Sequence, residues 1–196
     1  FYCEHIYVFS TLALREILKN YKLEIFDIEN TKTHGGSNRY FIKKSNNNFY
    51  KINDNVKNEI KKELRFGLNK FSTYQKFERK VKTSKKKLLK IFNELNKKNL
   101  KVIGYGATAK SCTVLNYCGL GIKNIKYFFD TTSYKINKYL PGSKILIRKY
   151  KKLDSNEVDL VYLGAWNFKE EIFKKEQSFI KKGGRFITHV PYPKII

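Results

Sequence analysis

Lys101-Val102-Ile103-Gly104-Tyr105-Gly106-Ala107-Thr108-Ala109 decides the fold of this chain. A short apolar strand runs directly into a Gly-x-Gly-x-x-Ala turn, and a helical stretch through Leu115 follows. Strand, glycine turn and helix in that order open a Rossmann-like unit. The glycines let backbone amides approach a phosphate, and the helix N-terminus attracts it. Ile125-Lys126-Tyr127-Phe128-Phe129-Asp130 reads as a second strand that ends on an acidic residue, as a dinucleotide fingerprint requires. Lys110, one turn into the helix, can neutralise a diphosphate or equally be one surface lysine among many. The same turn serves equally as a strand-to-helix packing device with no nicotinamide bound, because fold and motif do not fix the ligand.

Downstream the alternation continues. Val158 to Leu163 reads as a strand, Phe168 to Lys182 as a helix, and Phe186-Ile187-Thr188 as a last strand after Gly183-Gly184. Strands alternating with helices predict a mostly parallel sheet. Upstream lie two helical stretches, about 55 to 70 and 73 to 98, the second with Tyr74, Phe77, Val81, Leu88, Ile91 and Leu95 at three-and-four spacing. Lys85-Lys86-Lys87 fall off that seam as a solvated face, and Ser72 with Gln75 forms a capping-box pattern at its start. Before the polar break Ser45-Asn46-Asn47-Asn48, Ser10 caps a helix carrying Leu14, Ile17 and Leu18. Lys22 to Ile28 and Arg39 to Ile42 then read as two strands joined through His34-Gly35-Gly36-Ser37. A helix and a final antiparallel hairpin are how a class I methyltransferase sheet ends, although many α+β domains contain the unit. The fold class expected is α/β: the end of such a sheet over 1–45, a linker and helical connector over 46–99, and a Rossmann-like domain over 100–196.

The chain has 196 residues with 41% hydrophobic and 15% aromatic content, ample for a packed core. No apolar stretch approaches the roughly 20 residues that cross a bilayer, and no secretory leader opens the chain, so a cytoplasmic protein without membrane association is expected. Cys3, Cys112 and Cys118 have no metal or disulfide spacing, and no metal site is expected within the chain. The net charge is +24. Arg15, Arg39, Arg65, Arg79, Arg148 and Arg185 are its only arginines, and the lysine excess runs along the whole chain beside abundant Asn and Ile, as AT-biased coding produces. Arginine is the residue of bidentate phosphate and guanine contacts, so nucleic acid is not an expected partner. The chain holds no methionine and begins within what reads as a functional motif, so a fragment is expected.

That motif is Phe1-Tyr2-Cys3-Glu4-His5-Ile6-Tyr7. A phenol, a carboxylate and an imidazole crowded together can move protons near neutral pH, the imidazole as base and its neighbours as donor and orienter. A helical turn would set Tyr2 beside His5, whereas an extended segment would pair Tyr2 with Glu4.

With these segments in place the chain resembles the sugar-nucleotide C-methyltransferases. The resemblance runs through Tyr2-x-Glu4-His5, Phe9-Ser10-x-x-Ala13-Leu14, Thr33-His34-Gly35-Gly36-Ser37-x-Arg39 and Gly104-Tyr105-Gly106-Ala107-x-Ala109-Lys110. It continues through Leu115-Asn116-Tyr117-Cys118-Gly119, Asp130 with Tyr134-Lys135, Tyr139-Leu140-Pro141-Gly142, Ala165-Trp166-Asn167 and Gly183-Gly184-Arg185-Phe186. It implies methylation of a carbon alpha to the ketone of a nucleotide-linked deoxysugar, typically C-3' of a dTDP-4-keto sugar, through an enolate. It implies His5 as base with Glu4 and Tyr2 beside it. Substrate contacts are expected from His34, Arg39, Gly104, Tyr105, Gly106, Lys110, Asn116, Asp130, Tyr134 and Lys135. A loop histidine beside a Gly-Gly turn has a structural reading as well. The family's zinc-binding segment and glycine-rich S-adenosylmethionine loop lie upstream of Tyr2, so the donor is expected to be held mainly outside this chain and the chain alone to be inactive. Two rivals make different demands: an NAD-dependent oxidoreductase built on Gly104 to Asp130, and a charge-driven nucleic-acid binder whose affinity falls steeply with salt.

Overall fold

The computed structural model of the chain describes residues 7–32 and 36–196. It divides into two compact units that part between Arg79 and Lys80.

The N-terminal unit begins with α1 (Thr11–Lys19), capped by the Ser10 hydroxyl on the Ala13 amide. The antiparallel hairpin β1 (Leu23–Thr31) and β2 (Ser37–Lys44) follows, and then α2 (Asp54–Phe66). A register shift between Ile25 and Asp27 leaves Phe26 as the extra residue of a bulge. The bulge lets Ile25 and Ile28, three apart, both turn inward, which strict alternation forbids. With Leu18 and Val56 they make a small core. On the other side of the hairpin the Lys43 ammonium, nearly buried, pairs with Glu24 at 3.0 Å and donates to the carbonyls of Asn47 and Tyr50 at 2.7 Å each. The Tyr50 ring stacks on Phe26. One desolvated cation thus shapes the loop after β2. Helix α2 ends on Gly67 in the left-handed region (φ 84°), which glycine adopts without a Cβ penalty. Helix α3 (Phe71–Lys97) starts a residue before Ser72, so the expected capping box lies inside the helix. Its start is fixed instead by the Thr73 hydroxyl donating to the Gly67 carbonyl at 2.8 Å and Tyr74 to that of Leu68 at 2.7 Å.

In the C-terminal unit, strands β3 (Val102–Tyr105), β4 (Phe128–Asp130), β5 (Ile147–Lys149), β6 (Leu160–Leu163), β7 (Arg185–Thr188) and β8 (Lys194–Ile195) form one sheet of order β5-β4-β3-β6-β7-β8. Every pairing is parallel except that of β7 with β8. Helices α4 (Ala109–Cys118), α5 (Lys169–Lys175) and α6 (Gln177–Lys181) lie between strands in sequence. Alternate residues of β3 and β6 enter two separate cores. Val102, Leu160 and Tyr162 join Leu88, Phe92 and Leu115, while Ile103 and Val161 join Phe129, Ile172, Phe179 and Phe186. A sheet buried on both faces explains why its central strands are unbroken apolar runs. The α/β class with a mostly parallel sheet and a separate antiparallel hairpin is therefore present as expected. The single helix expected over Phe168 to Lys182 is two, broken at Glu176, whose carboxylate turns inward. Among the described residues no helix is long and apolar enough to cross a membrane.

Candidate functional site

Among the concavities of the described residues, two, one in each unit, gather expected site residues or their chain neighbours. In the N-terminal unit an open cavity of about 770 Å³ is lined by Tyr7, Val8 and Phe9, by Asn30, Thr31, Gly36 and Ser37 at the open end of the hairpin, and by Tyr40, Lys62 and Glu63. Tyr7 stands two residues after His5, and Thr31 and Gly36 bracket His34. The chain leading out of the Tyr2-x-Glu4-His5 motif and both flanks of the His34 loop thus reach one cavity. Tyr2, Glu4, His5 and His34 themselves lie outside the described residues. The wall is hydrogen-bonded: the Asn30 side-chain amide donates to Asn38 Oδ1 across the hairpin at 2.6 Å, and the Tyr40 hydroxyl lies 3.1 Å from that of Thr11 on α1. Arg39, two residues past Ser37, forms an exposed ion pair with Glu29 at 2.8 Å.

The second concavity, about 340 Å³, opens at the C-terminal ends of β3, β4 and β6, where the sheet order reverses. Ligands of open α/β sheets bind at such a crevice. Its apolar wall includes Phe129, Ala165, Phe168 and Ile172, and its polar groups include Thr108, Thr132, Asp130, Lys135 and Lys175. The glycine turn beside it is closed by its own chain. The buried Asp130 carboxylate accepts the Ala107 amide at 2.8 Å and the Thr132 amide at 2.8 Å, and the Lys135 ammonium lies 3.6 Å away while donating to the Ala107 carbonyl at 3.0 Å. Burial alone would raise the Asp130 pKa, but the Thr132 amide, Lys135 and the Ala107 amide outweigh it and hold the carboxyl below its usual range. Gly106 sits at φ 83° against Ala165, where any Cβ would collide with the Ala165 Cβ and lie 3.0 Å from its amide nitrogen. Asp130 thus holds the Ala107 amide that a phosphate at this turn would otherwise meet.

Below the crevice the fully buried Glu176 accepts the Tyr150 hydroxyl at 2.6 Å, the Tyr105 hydroxyl at 3.3 Å and the Leu153 amide at 3.1 Å. Burial and the neighbouring carboxylate push the Tyr150 phenol up to about 12 and raise that of Tyr105 further, so both remain donors at neutral pH. Lys175 stands 3.5 Å over the Tyr150 ring. On the opposite face of the sheet His189 Nδ1 lies 3.0 Å from the buried Tyr162 hydroxyl, and burial lowers its pKa to about 4.

Of the residues expected at a substrate site, the crevice gathers Tyr105, Gly106, Asp130 and Lys135. Four stand elsewhere. Gly104 packs against the Phe128 ring, where no Cβ fits. Lys110 places its ammonium 5.2 Å over the Trp166 ring. The Asn116 side chain donates to the Pro141 carbonyl at 3.2 Å and fills the space beside Gly142. Tyr134 is exposed in a short 3-10 turn, Ser133–Lys135. Sequence reasoning did not single out Glu63, Tyr150 or Glu176, because each acquires its meaning from a partner distant in sequence. Among the described residues no three His, Cys, Asp or Glu side chains gather as metal ligands.

Comparison with known proteins identifies what these features belong to. Residues 32–191 match the C-methyltransferase C-terminal domain. The chain is 30% identical over 193 residues to the C-methyltransferase NovU of Streptomyces niveus. That alignment covers 98% of the chain and 46% of the relative, so the chain spans about half of that protein's length. The order of motifs, the two-sided parallel sheet and these matches agree: the chain belongs to the C-methyltransferase C-terminal domain family.

Proposed function

We propose that this chain is the acceptor-handling part of an S-adenosylmethionine-dependent C-methyltransferase acting on a carbon alpha to the ketone of a nucleotide-linked deoxysugar, typically C-3' of a dTDP-4-keto sugar. Family membership supports carbon methylation. One observation carries the assignment of the site: the residues leading out of Tyr2-x-Glu4-His5 and both flanks of the His34 loop line a single cavity with a hydrogen-bonded wall. Carbon attack requires that the alpha proton leave first, and His5 takes it as base while Tyr2 and Glu4 orient the imidazole and meet the enolate oxygen. In the C-terminal unit the crevice gathers Tyr105, Gly106, Asp130 and Lys135 of the expected substrate residues beside an apolar wall. S-adenosylmethionine supplies the electrophilic methyl group when bound. The glycine turn at Gly104 to Ala109 does not fit it, since Asp130 occupies the Ala107 amide and Gly106 abuts Ala165, and the reading places the donor on sequence beyond these residues.

The test uses the full-length enzyme. His5→Asn should slow both methyl transfer and exchange of the sugar's alpha proton with deuterated solvent, by on the order of 100- to 10,000-fold for a lost general base. Methylation that falls while exchange continues at the wild-type rate would remove His5 from the role of base.

A further inference from the structure

Three carboxylates are turned into the interior of the described residues. Asp130 closes the glycine turn and Glu176 holds two tyrosines. The third, Glu63, stands on α2 in a stretch that reads from sequence as part of a connector, and it is only 7% exposed. Its Oε1 accepts the Thr11 amide at 2.7 Å and its Oε2 the Leu12 amide at 2.9 Å. Ser10 supplies the rest: its hydroxyl accepts the Ala13 amide at 3.1 Å and its carbonyl the Leu14 amide at 2.9 Å. A helix leaves the amides of its first turn without intrahelical acceptors, and at α1 those of Thr11, Leu12 and Ala13 are all occupied. Two of them are held by a charge from another element, a stronger tie than a neutral cap. Thr11 is fully buried, with its hydroxyl against that of Tyr40.

The Thr11, Leu12 and Ala13 amides are thus closed to a ligand. What this fixes is the path by which the chain runs into α1. That approach is Tyr7-Val8-Phe9, which lines the open cavity together with Glu63 itself. His5 precedes Thr11 by six residues, so the segment bearing the proposed base is the direct continuation of the pinned one.

We propose that Glu63 is a positioning residue for proton abstraction, holding the N-terminus of α1, from which the chain leads back through Tyr7-Val8-Phe9 on the cavity wall to Tyr2-x-Glu4-His5. The inference rests on the proposed methyl-transfer reading. Misplacement of a base by about 1 Å is enough to cost on the order of 100-fold, so a residue that touches no substrate can still govern the rate.

The experiment takes the full-length methyltransferase with Glu63→Ala, His5→Asn and the double variant. It measures exchange of the sugar's alpha proton, the methyl-transfer kcat and KM, and the thermal midpoint of each. Glu63→Ala should slow exchange and kcat together by about 10- to 100-fold with KM essentially unchanged. Formate, filling the space left by the carboxylate, should restore part of the exchange rate. The double variant should be no slower than His5→Asn alone, because residues that act as one unit are not additive. Where Glu63→Ala does not fold, Glu63→Gln, which keeps one acceptor oxygen, is read by the same rate criteria. Wild-type exchange in a folded Glu63 variant, a rise in KM with kcat preserved, or multiplicative losses in the double variant would each overturn the proposal. Slow exchange in Glu63→Ala beside normal exchange in His5→Asn would instead retire His5 and keep Glu63 as the positioning residue of another base on the same segment.

Discussion

The two units of this chain differ in how much apolar surface surrounds their buried polar groups. In the C-terminal unit the carboxylates close on backbone and side chains around them: Asp130 on the Ala107 and Thr132 amides, Glu176 on the Tyr105 and Tyr150 hydroxyls and the Leu153 amide. Two apolar clusters of a dozen residues or more sandwich the sheet. In the N-terminal unit the apolar core has four buried residues among those described, Glu63 and Lys43 are tied to backbone groups, and other polar groups face an open cavity. A unit with so little to bury depends on specific bonds such as those of Glu63 and Lys43 for its shape. A glycine-rich Rossmann-like turn therefore does not mark the chemistry by itself; here it is the more completely satisfied of the two regions.

The largest effect that tests this contrast belongs to Gly106. Any side chain there meets Ala165 and must hold φ at 83°, so Gly106→Val combines overpacking with backbone strain. A stability loss of about 3–5 kcal/mol is expected by summing those penalties, seen as an early urea transition of the C-terminal unit. A folded variant with normal stability and weakened dTDP affinity would make the turn a binding device and dissolve the contrast.

How much of this was legible in sequence follows from the range of the interactions involved. Helix α3 and strands β3 and β6 announce themselves because their apolar spacing repeats within a few residues. The closing strands β5 and β8, of three and two residues, carry no periodic signal of their own. The helix expected over Phe168 to Lys182 breaks because Glu176 bonds Tyr105, 71 residues away, and no local pattern encodes that. Glu63 is likewise a charged residue among lysines on a helix until Thr11, 52 residues earlier, supplies its partner. The glycine turn was legible as a turn but not as a closed one, since the acceptor of the Ala107 amide is the same Asp130 that a ribose would need.

The dense unit also holds a histidine that its burial keeps neutral. His189 has a folded pKa of about 4 against 6.5 for the free side chain. Between these values the unfolded chain takes up a proton that the folded chain refuses, so stability is fully in force above 6.5 and declines as pH falls toward 4. At about 1.4 kcal/mol per pKa unit the loss reaches about 3 kcal/mol at most. His189→Gln should flatten this dependence. Urea midpoints at pH 7 and pH 4.5 measure it, and a parallel decline in wild type and variant would show that burial of His189 is not its source.

Asp130 carries a smaller share. In Asp130→Asn one of the Ala107 and Thr132 amides loses its acceptor and Lys135 loses its counter-charge. The expected cost at pH 7 is about 1–3 kcal/mol, that of an unsatisfied buried donor. Because the folded pKa lies below 3.8, the carboxylate's contribution is present above that value and is lost as pH falls through the folded pKa. Wild type and variant should therefore converge in acid. Equal stability at pH 7 would show that the turn is not held by this carboxylate.

The smallest effect on folding, and the sharpest on the meaning of the open unit, is expected at Arg39. Its guanidinium meets Glu29 at 2.8 Å with both side chains more than half exposed, a pair of the kind that contributes about 0–1 kcal/mol. Arg39→Ala should thus leave the thermal midpoint of the N-terminal unit almost unmoved. Arg39 is not itself a lining residue of the cavity, although its neighbours Asn38 and Tyr40 are, and its guanidinium has the planar fork that favours phosphate and sugar oxygens. If Arg39 serves the acceptor, the full-length Arg39→Ala enzyme should show a KM for the sugar nucleotide raised about 10-fold or more, as loss of a charge-assisted hydrogen bond implies, with stability intact. Unchanged KM together with an unchanged midpoint would reduce the Arg39–Glu29 pair to surface decoration and confine the working wall of the cavity to the neutral Asn30, Asn38 and Tyr40 side.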